Sequence, residues 1–298
     1  MRRLPAGLVA VALLAVAATA CGSSSSGSSG WSSDGVTTVK VGVIPIVDVA
    51  PIYLGEKKGF YKERGLDLTL ETSQGGAAIV PGVVSGQFQF GFSNTTSLMV
   101  ARSRNVPVRA VANGVASTGK AGADFGGVVV KGDSPVKSPK DLAGKKVAVN
   151  TLKNIGDTSV RESVRQAGGD PRSVELVELP FDQMPAALDA GQVDAAWVVE
   201  PSLSVAREQG ARVVASNFVD VSPDLTIALY FTSDKLAQQD PDLVKKFAEA
   251  TRESLAYAAG HPDEVRDILA TYTKIPEKTV QALTLPRWPE EPDRASLE

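Results

Sequence analysis

The chain has 298 residues and carries 31 Lys and Arg against 34 Asp and Glu, a formal net charge of −3. A mildly acidic chain is a poor match for nucleic acid, where affinity rests on basic phosphate contacts, so no nucleic-acid partner is expected. One histidine and one cysteine exclude an intrachain disulfide and any zinc site built from several His or Cys ligands, while 43% hydrophobic residues suffice for the cores of two α/β domains.

Met1 to Cys21 reads as a processing segment. Arg2 and Arg3 form its positive end, and Leu8 to Ala20 is apolar but too short to span a bilayer well. Ala18-Thr19-Ala20 puts small residues before Cys21, in the manner of a lipoprotein signal. Cys21 is therefore expected to carry lipid and anchor the chain to the membrane; an ordinary signal peptide cut nearby is the alternative. A Gly/Ser-rich tether follows, over residues 22–36.

Val39 to Ile44 is a β-branched apolar run, expected as a buried strand that Pro45 ends. Ile46 to Ala50 forms a loop, and Pro51 suits the first turn of a helix running to about Gly59. Gly65 turns the chain into a second, parallel strand over Leu66 to Leu70. In open α/β sheets such a loop lies at the carboxyl edge of the strands, where ligands bind. Ile46, Val47 and Asp48 are therefore candidate contacts, with a loop or capping role as the other reading of Asp48.

Ala77 to Ser85 reads as a helix and Phe88 to Phe92 as a strand. Ser93-Asn94-Thr95-Thr96 follows, before a helix from about Ser97 to Arg104. Ser, Asn and Thr cap helix starts, and a helix start offers free N–H groups to an anion or carbonyl. Spacing leaves capping and ligand contact equally open for Ser93, Asn94 and Thr95. Val106 to Ala112 is the next strand, and Asn113 at its end is a further candidate.

Phe125 to Lys131 and Lys146 to Val149 read as strands. The loop from Asn150 to Gly156 leads to a helix opened by Asp157, with Ser159 and Glu162 spaced as a capping box. This loop supplies Thr151, Asn154, Gly156 and Asp157 as candidates. Strands are expected over Val174 to Leu179, Val193 to Val199 and Ala211 to Ala215, with helices over Phe181 to Ala190 and Ser202 to Gln209. Glu200 follows a buried-looking strand and is a candidate contact, against a solvated carboxylate. Leu225 to Thr232 is a strand that could cross back, and the remainder reads as helices over Pro241 to Ala259, Asp263 to Thr271 and Pro276 to about Leu283. Ala248, Leu255 and Ala259 mark an apolar stripe on the first of these.

An internal echo links Val83 to Phe92 with Leu188 to Trp197: each reads helix, Gly-Gln turn, strand, aromatic. A polar candidate follows both times, Ser93 to Thr95 in one and Glu200 in the other. Two similar lobes facing one cleft account for this. No G-x-G-x-x-G follows a strand and no G-x-x-x-x-G-K-[ST] occurs, so nucleotide binding has no motif. His261 sits in Gly260-His261-Pro262-Asp263, an expected exposed turn and a poor setting for a catalytic triad.

The strand, loop and helix ending in KGFYKERGLDL, followed by SGQFQFGFSNTTSL, SPKDLAGKKVAVN and LDAGQVDAAWVVEPS, resemble the periplasmic-type solute-binding proteins of the nitrate, sulfonate, taurine and thiamine-precursor group. The resemblance covers nearly all of the chain after the leader. It implies a two-lobed α/β fold of the type II periplasmic-binding-protein kind, with 37–128 plus 229–298 as one lobe and 129–228 as the other. It also implies capture of a small solute by hinge closure, delivery to an ABC permease and its ATPase, no cofactor or metal, and no catalysis. A ligand-sensing lipoprotein is the other binding reading. The fungal pyrimidine synthases share the fold, but His261 lies far from every candidate loop and their cysteine-rich segment is missing. Asp48, Asp157 and Glu200 favour a zwitterion or amino-bearing heterocycle over a bare anion. Members of the group usually carry a further helix after the point where Ser296-Leu297-Glu298 ends this chain, so truncation or a shorter variant is expected.

Overall fold

The computed structural model describes residues 35–298. The leader, Cys21 and nearly all of the expected tether lie outside the described residues. The first lobe opens with β1 (Thr37–Val43), α1 (Ala50–Lys58), β2 (Leu66–Thr72), α2 (Gly76–Ser85), β3 (Phe90–Asn94), α3 (Thr95–Ser103) and β4 (Val108–Ala116). The second holds β5 (Gly126–Val130), β6 (Lys146–Val149), α4 (Ile155–Gln166), β7 (Glu175–Glu178), α5 (Met184–Asp189), β8 (Ala195–Val199), α6 (Ser202–Glu208) and β9 (Arg212–Ala215). The chain returns through α7 (Asn217–Val221) to β10 (Thr226–Ser233), then forms α8 (Asp234–Gln239), α9 (Pro241–Gly260), α10 (Pro262–Tyr272) and α11 (Glu277–Ala282).

The strands make two five-stranded sheets, ordered β2-β1-β3-β10-β4 and β7-β6-β8-β5-β9. The orders correspond strand for strand, and in each a strand from beyond a crossing lies antiparallel to its neighbours: β10 against β3 and β4, β5 against β8 and β9. The internal echo is this repeated order, since its two strands are β3 and β8. The crossings run over residues 117–125 and 216–225; Gly126 already pairs in the second sheet and Thr226 in the first, a few residues before 128 and 228. β10 is buried along its whole length, as suits a central strand with both faces covered. Pro51 sits in the first turn of α1 and Gly59 ends it at φ 89°, a left-handed cap that glycine adopts without strain.

Some local expectations are corrected. β3 runs on to Asn94, because Gly91 to Asn94 pairs with β10 beyond the end of its pairing with β1. β4 likewise extends through Asn113 to Ala116, held by β10. α4 begins at Ile155, capped by Asn154, so Ser159 is a turn inside the helix and bonds Ile155 O, while Glu162 pairs with Arg165. The buried stripe of α9 is Leu243, Phe247, Ala250, Thr251, Ser254, Leu255 and Ala258; Ala248 is half-buried and Ala259 exposed. Phe247 stacks flat on Phe90 of β3 at 3.8 Å, seating α9 on the first sheet. After α11 the chain is irregular, and Arg287 bridges to Ala116 at the end of β4 before a short 3-10 turn at Ala295–Leu297.

Candidate functional site

The loop after β1 is held from three sides. Val47 N–H donates to Glu200 O (3.1 Å) in the other lobe, the Tyr272 hydroxyl donates to Ile46 O (3.0 Å), and the Trp288 indole N–H donates to Asp48 O (3.0 Å). Facing this loop are two asparagines, one from each lobe, each the residue before a helix. Asn94 caps α3 by accepting from Ser97 N–H at 2.8 Å, and Asn154 caps α4 by accepting from Asp157 N–H at 3.1 Å. Asn94 Oδ1 also accepts from Ile155 N–H at 3.3 Å, so one side chain serves the starts of both helices. Asn154 Nδ2 donates to Asn150 Oδ1 (2.6 Å), and Asn150 exchanges two bonds with Gln74: Nδ2 to Gln74 O (3.1 Å), and Gln74 Nε2 to Asn150 O (3.0 Å).

Between these elements lies a cavity of about 30 Å³, lined on its polar side by Asp48, Asn94, Asn150 and Asn154 and elsewhere by Ile46, Phe92, Phe181, Trp197 and Phe218 among others. Its aromatic wall is interlocked, with Trp197 at 5.2 Å from Phe181 and edge-on to Phe218 at 5.8 Å. The cavity shares Ile44, Ile46 and Phe181 with an outer groove of about 680 Å³, which adds Gln74, Tyr272, Lys274 and several prolines. The inner space is on the scale of a single small group, the groove on the scale of a whole solute.

Asp48 Oδ1 and Trp197 Nε1 are buried with no hydrogen-bond partner among the described residues. Burial pushes the Asp48 carboxyl up to about 7, against the pull of its own backbone N–H, and the Asp124 carboxylate adds to the rise. Glu200 is fully buried but does not line the cavity. Its carboxylate turns into α6 and accepts from Ser204 N–H and Oγ–H, both at 2.9 Å, and from Thr284 N–H at 3.3 Å. Burial pushes it up to about 7 as well, opposed by those donors and by Arg207.

Of the sequence candidates, Ile46, Asp48, Asn94 and Asn154 meet at the cavity. Val47 contributes its N–H to the contact with Glu200. Ser93 is buried against Gly76, and Thr95 Oγ1 bonds Thr226 O and Ile227 O, both at 3.4 Å, within the first lobe. Asn113 Nδ2 donates to Pro289 O at 2.6 Å. Thr151 packs beside Gly75 of the other lobe, and Gly156 lies under the Trp197 ring. Asp157 is occupied by Lys153 N–H (3.0 Å) and Arg161 Nε–H (2.7 Å). Sequence reasoning missed Asn150, Phe181 and Phe218. Asn150 had a signal, since it follows β6, the counterpart of β1; the two phenylalanines reach the wall through tertiary packing alone.

Two α/β lobes joined by two crossings, with loops from both lobes meeting at one cavity, define a two-lobed binding architecture. The family model described as NMT1/THI5-like matches residues 46–265, and the chain belongs to that family. It is similar to the taurine-binding periplasmic protein of Escherichia coli (strain K12), 28% identical over 75% of this chain and 69% of that one. It is also similar to the formylaminopyrimidine-binding protein of Halalkalibacterium halodurans, 22% identical over 74% of this chain and 65% of that one. Among solved structures, the alkanesulfonate-binding protein SsuA from Xanthomonas axonopodis pv. citri, bound to MOPS, superposes with a TM-score of 0.74 at 18% identity, covering 87% of this chain and 88% of that one. This last likeness is one of fold, the generic periplasmic-binding-protein fold.

Proposed function

We propose that the chain is the solute-binding component of an ABC importer. It captures a small polar solute between its lobes, closes on it, and delivers it to a membrane permease with its ATPase. The observation that carries this reading is the meeting of Asn94 and Asn154, caps from opposite lobes, at one cavity with Asp48. A ligand touching both lobes favours closure by its differential affinity for the closed state. The crossings would act as the hinge. In the first, Asp124 accepts from Ser117 Oγ–H (2.8 Å) and Thr118 N–H (2.9 Å), and Gly122 N–H donates to Ser216 Oγ (2.7 Å) where the second begins. Relatives named for taurine and for a formylaminopyrimidine support a solute of that size.

Ile46, Asp48, Asn94 and Asn154 are our first choice of ligand contacts, with Asn150 and Trp197 added. Glu200 acts through its grip on α6 and on the first loop. We read the chain as a binder rather than a catalyst: its one histidine, His261, is exposed and stacks on Tyr257 at 3.8 Å, outside the cavity lining. Cys21 would carry lipid and hold the protein at the extracytoplasmic face, since one thioether-linked diacylglycerol plus N-acylation gives stable anchoring. Cys21→Ala should release the chain from membranes; retention with unchanged processing removes the anchor.

The test of binding is a melting screen with taurine, alkanesulfonates, nitrate and aminopyrimidines, followed by small-angle scattering with any solute that stabilises. A bound solute should raise the melting temperature and shrink the radius of gyration. Stabilisation without compaction would refute the closure mechanism.

A further inference from the structure

We infer that Asp48 selects the solute by its N–H donors, so that the chain takes an amino-bearing or ring N–H-bearing solute in preference to a bare anion such as nitrate or a simple alkanesulfonate. This rests on the binding role proposed above and names its substrate class. Asp48 is 3% exposed, lines the inner cavity, and its Oδ1 has no partner among the described residues. A buried acceptor in that state is costly until a donor reaches it. A ligand N–H supplies one; an oxyanion brings only more acceptors.

The rest of the lining points the same way. No Lys or Arg lines the inner cavity, and Lys274 stands only in the outer groove. A bare anion there would meet a carboxyl group and no side-chain counter-charge. The same lining also holds donors: the Trp197 indole N–H, also without a partner, and the side-chain amide of Asn94 at the start of α3. The lining therefore offers an acceptor at Asp48 and donors at Trp197 and Asn94. A solute with an N–H-bearing end matches it: the small inner cavity takes that end, and the outer groove beside Ile46 and Tyr272 has room for the body.

Two sources share this chemistry, an ammonium zwitterion and an aminated heteroaromatic ring. A carboxyl group held near 7 can serve either. Ionised, it pairs with an ammonium; protonated, it donates to a ring nitrogen while accepting from the adjacent amino group. The titratable groups acting on Asp48 are Asp124 in the first crossing, Tyr230 on β10 and Tyr272 on α10; burial holds both tyrosines far above neutral, so they stay uncharged. Ammonium binding should therefore strengthen as pH rises through neutrality, and binding of the ring weaken.

Calorimetry with two matched pairs tests this: taurine against ethanesulfonate, and 4-amino-2-methylpyrimidine against 2-methylpyrimidine, each below and above neutral pH. In at least one pair the amino member should bind about ten- to a hundredfold tighter, the worth of one charge-assisted hydrogen bond. Asp48→Asn should abolish that preference, read as the ratio of the two affinities within the pair. Trp197→Phe should weaken both members alike. Ethanesulfonate matching taurine, nitrate binding while both amino probes fail, or a preference surviving Asp48→Asn overturns the inference and leaves the binding role standing. Silence from every probe overturns both. If Asp48→Asn does not fold, the paired comparison on the unaltered protein decides.

Discussion

Gly156 lies so close beneath the Trp197 indole that a Cβ on it would stand 2.2 Å from Cε3 of the ring. The contact sets how far the first turn of α4 approaches the aromatic wall of the cavity. A helical Gly→Ala change ordinarily gains up to about 1 kcal/mol of helix propensity. Here overpacking should win, at about 1–3 kcal/mol, because the ring is wedged between Phe181 and Phe218. Gly156→Ala should lower the urea midpoint, shift the tryptophan emission and weaken the bound solute. An unchanged or raised midpoint would show that the ring moves freely, contrary to the packing described.

Trp288 should behave as a fastener of the first loop. Trp288→Phe keeps aromatic bulk at a buried position but leaves Asp48 O without its 3.0 Å donor. Leaving such a carbonyl unsatisfied costs about 1–3 kcal/mol. Hydrogen exchange at residues 47–50 should speed up, and solute affinity should fall with it. Protection at the level of the unaltered protein would assign Trp288 to packing alone.

Stability should depend on pH in an unusual direction between about 4 and 7. Asp48 and Glu200 are raised from 3.8 and 4.5 to about 7, so in that window the folded chain holds protons that the unfolded chain has lost. Stability from these two groups is full below their unfolded pKa values and is lost as pH rises through 7. Asp124 faces Asp48, and Arg207 faces Glu200. The ligand-free melting temperature should thus decline from mildly acid to neutral pH, and Asp48→Asn with Glu200→Gln should flatten the decline. A flat profile in the unaltered protein would mean that both carboxyls ionise normally.

Asp124 organises the first crossing through Ser117 Oγ–H (2.8 Å), Thr118 N–H (2.9 Å) and its own neighbour Phe125 N–H (3.0 Å). Asp124→Ala should loosen that crossing and enlarge the ligand-free radius of gyration in scattering. It should also bring the Asp48 pKa down, because a repelling charge is gone. The scattering curve and a carboxyl titration by NMR read the two effects separately; an unchanged curve would remove the crossing as a hinge.

The first β-loop-α unit was legible because its signals are local: β-branched residues, then Pro45, then Pro51 in the first turn of a helix. The repeated sheet order was legible through the Gly-Gln turns before β3 and β8. Asn94 was legible as a cap, although its second role, accepting from Ile155 N–H, depends on how the lobes meet. Ser159 was misread because Asn154 and Ser159 are both capping types, and spacing to Glu162 favoured the wrong one. Glu200 was read as a ligand contact closing a buried-looking strand; it is buried, but Ser204 turns its carboxylate into α6, and the third donor, Thr284, lies far along the chain. The Trp288 contact spans 240 residues and leaves no local pattern.

The place of β10 in the first sheet has a consequence for how the chain is made. β4 has only β10 as its sheet neighbour, and β10 also closes against β3. During synthesis the first lobe is therefore left as β2-β1-β3 and a separate β4 while the whole second lobe emerges. That second sheet needs only residues 126–215 and can form early. Long-range pairing of this kind is slow and leaves strand edges open in the meantime. A nascent chain arrested before Thr226 should hold a finished second lobe beside an unfinished first one, and no truncation that removes 226–233 leaves the first sheet able to close.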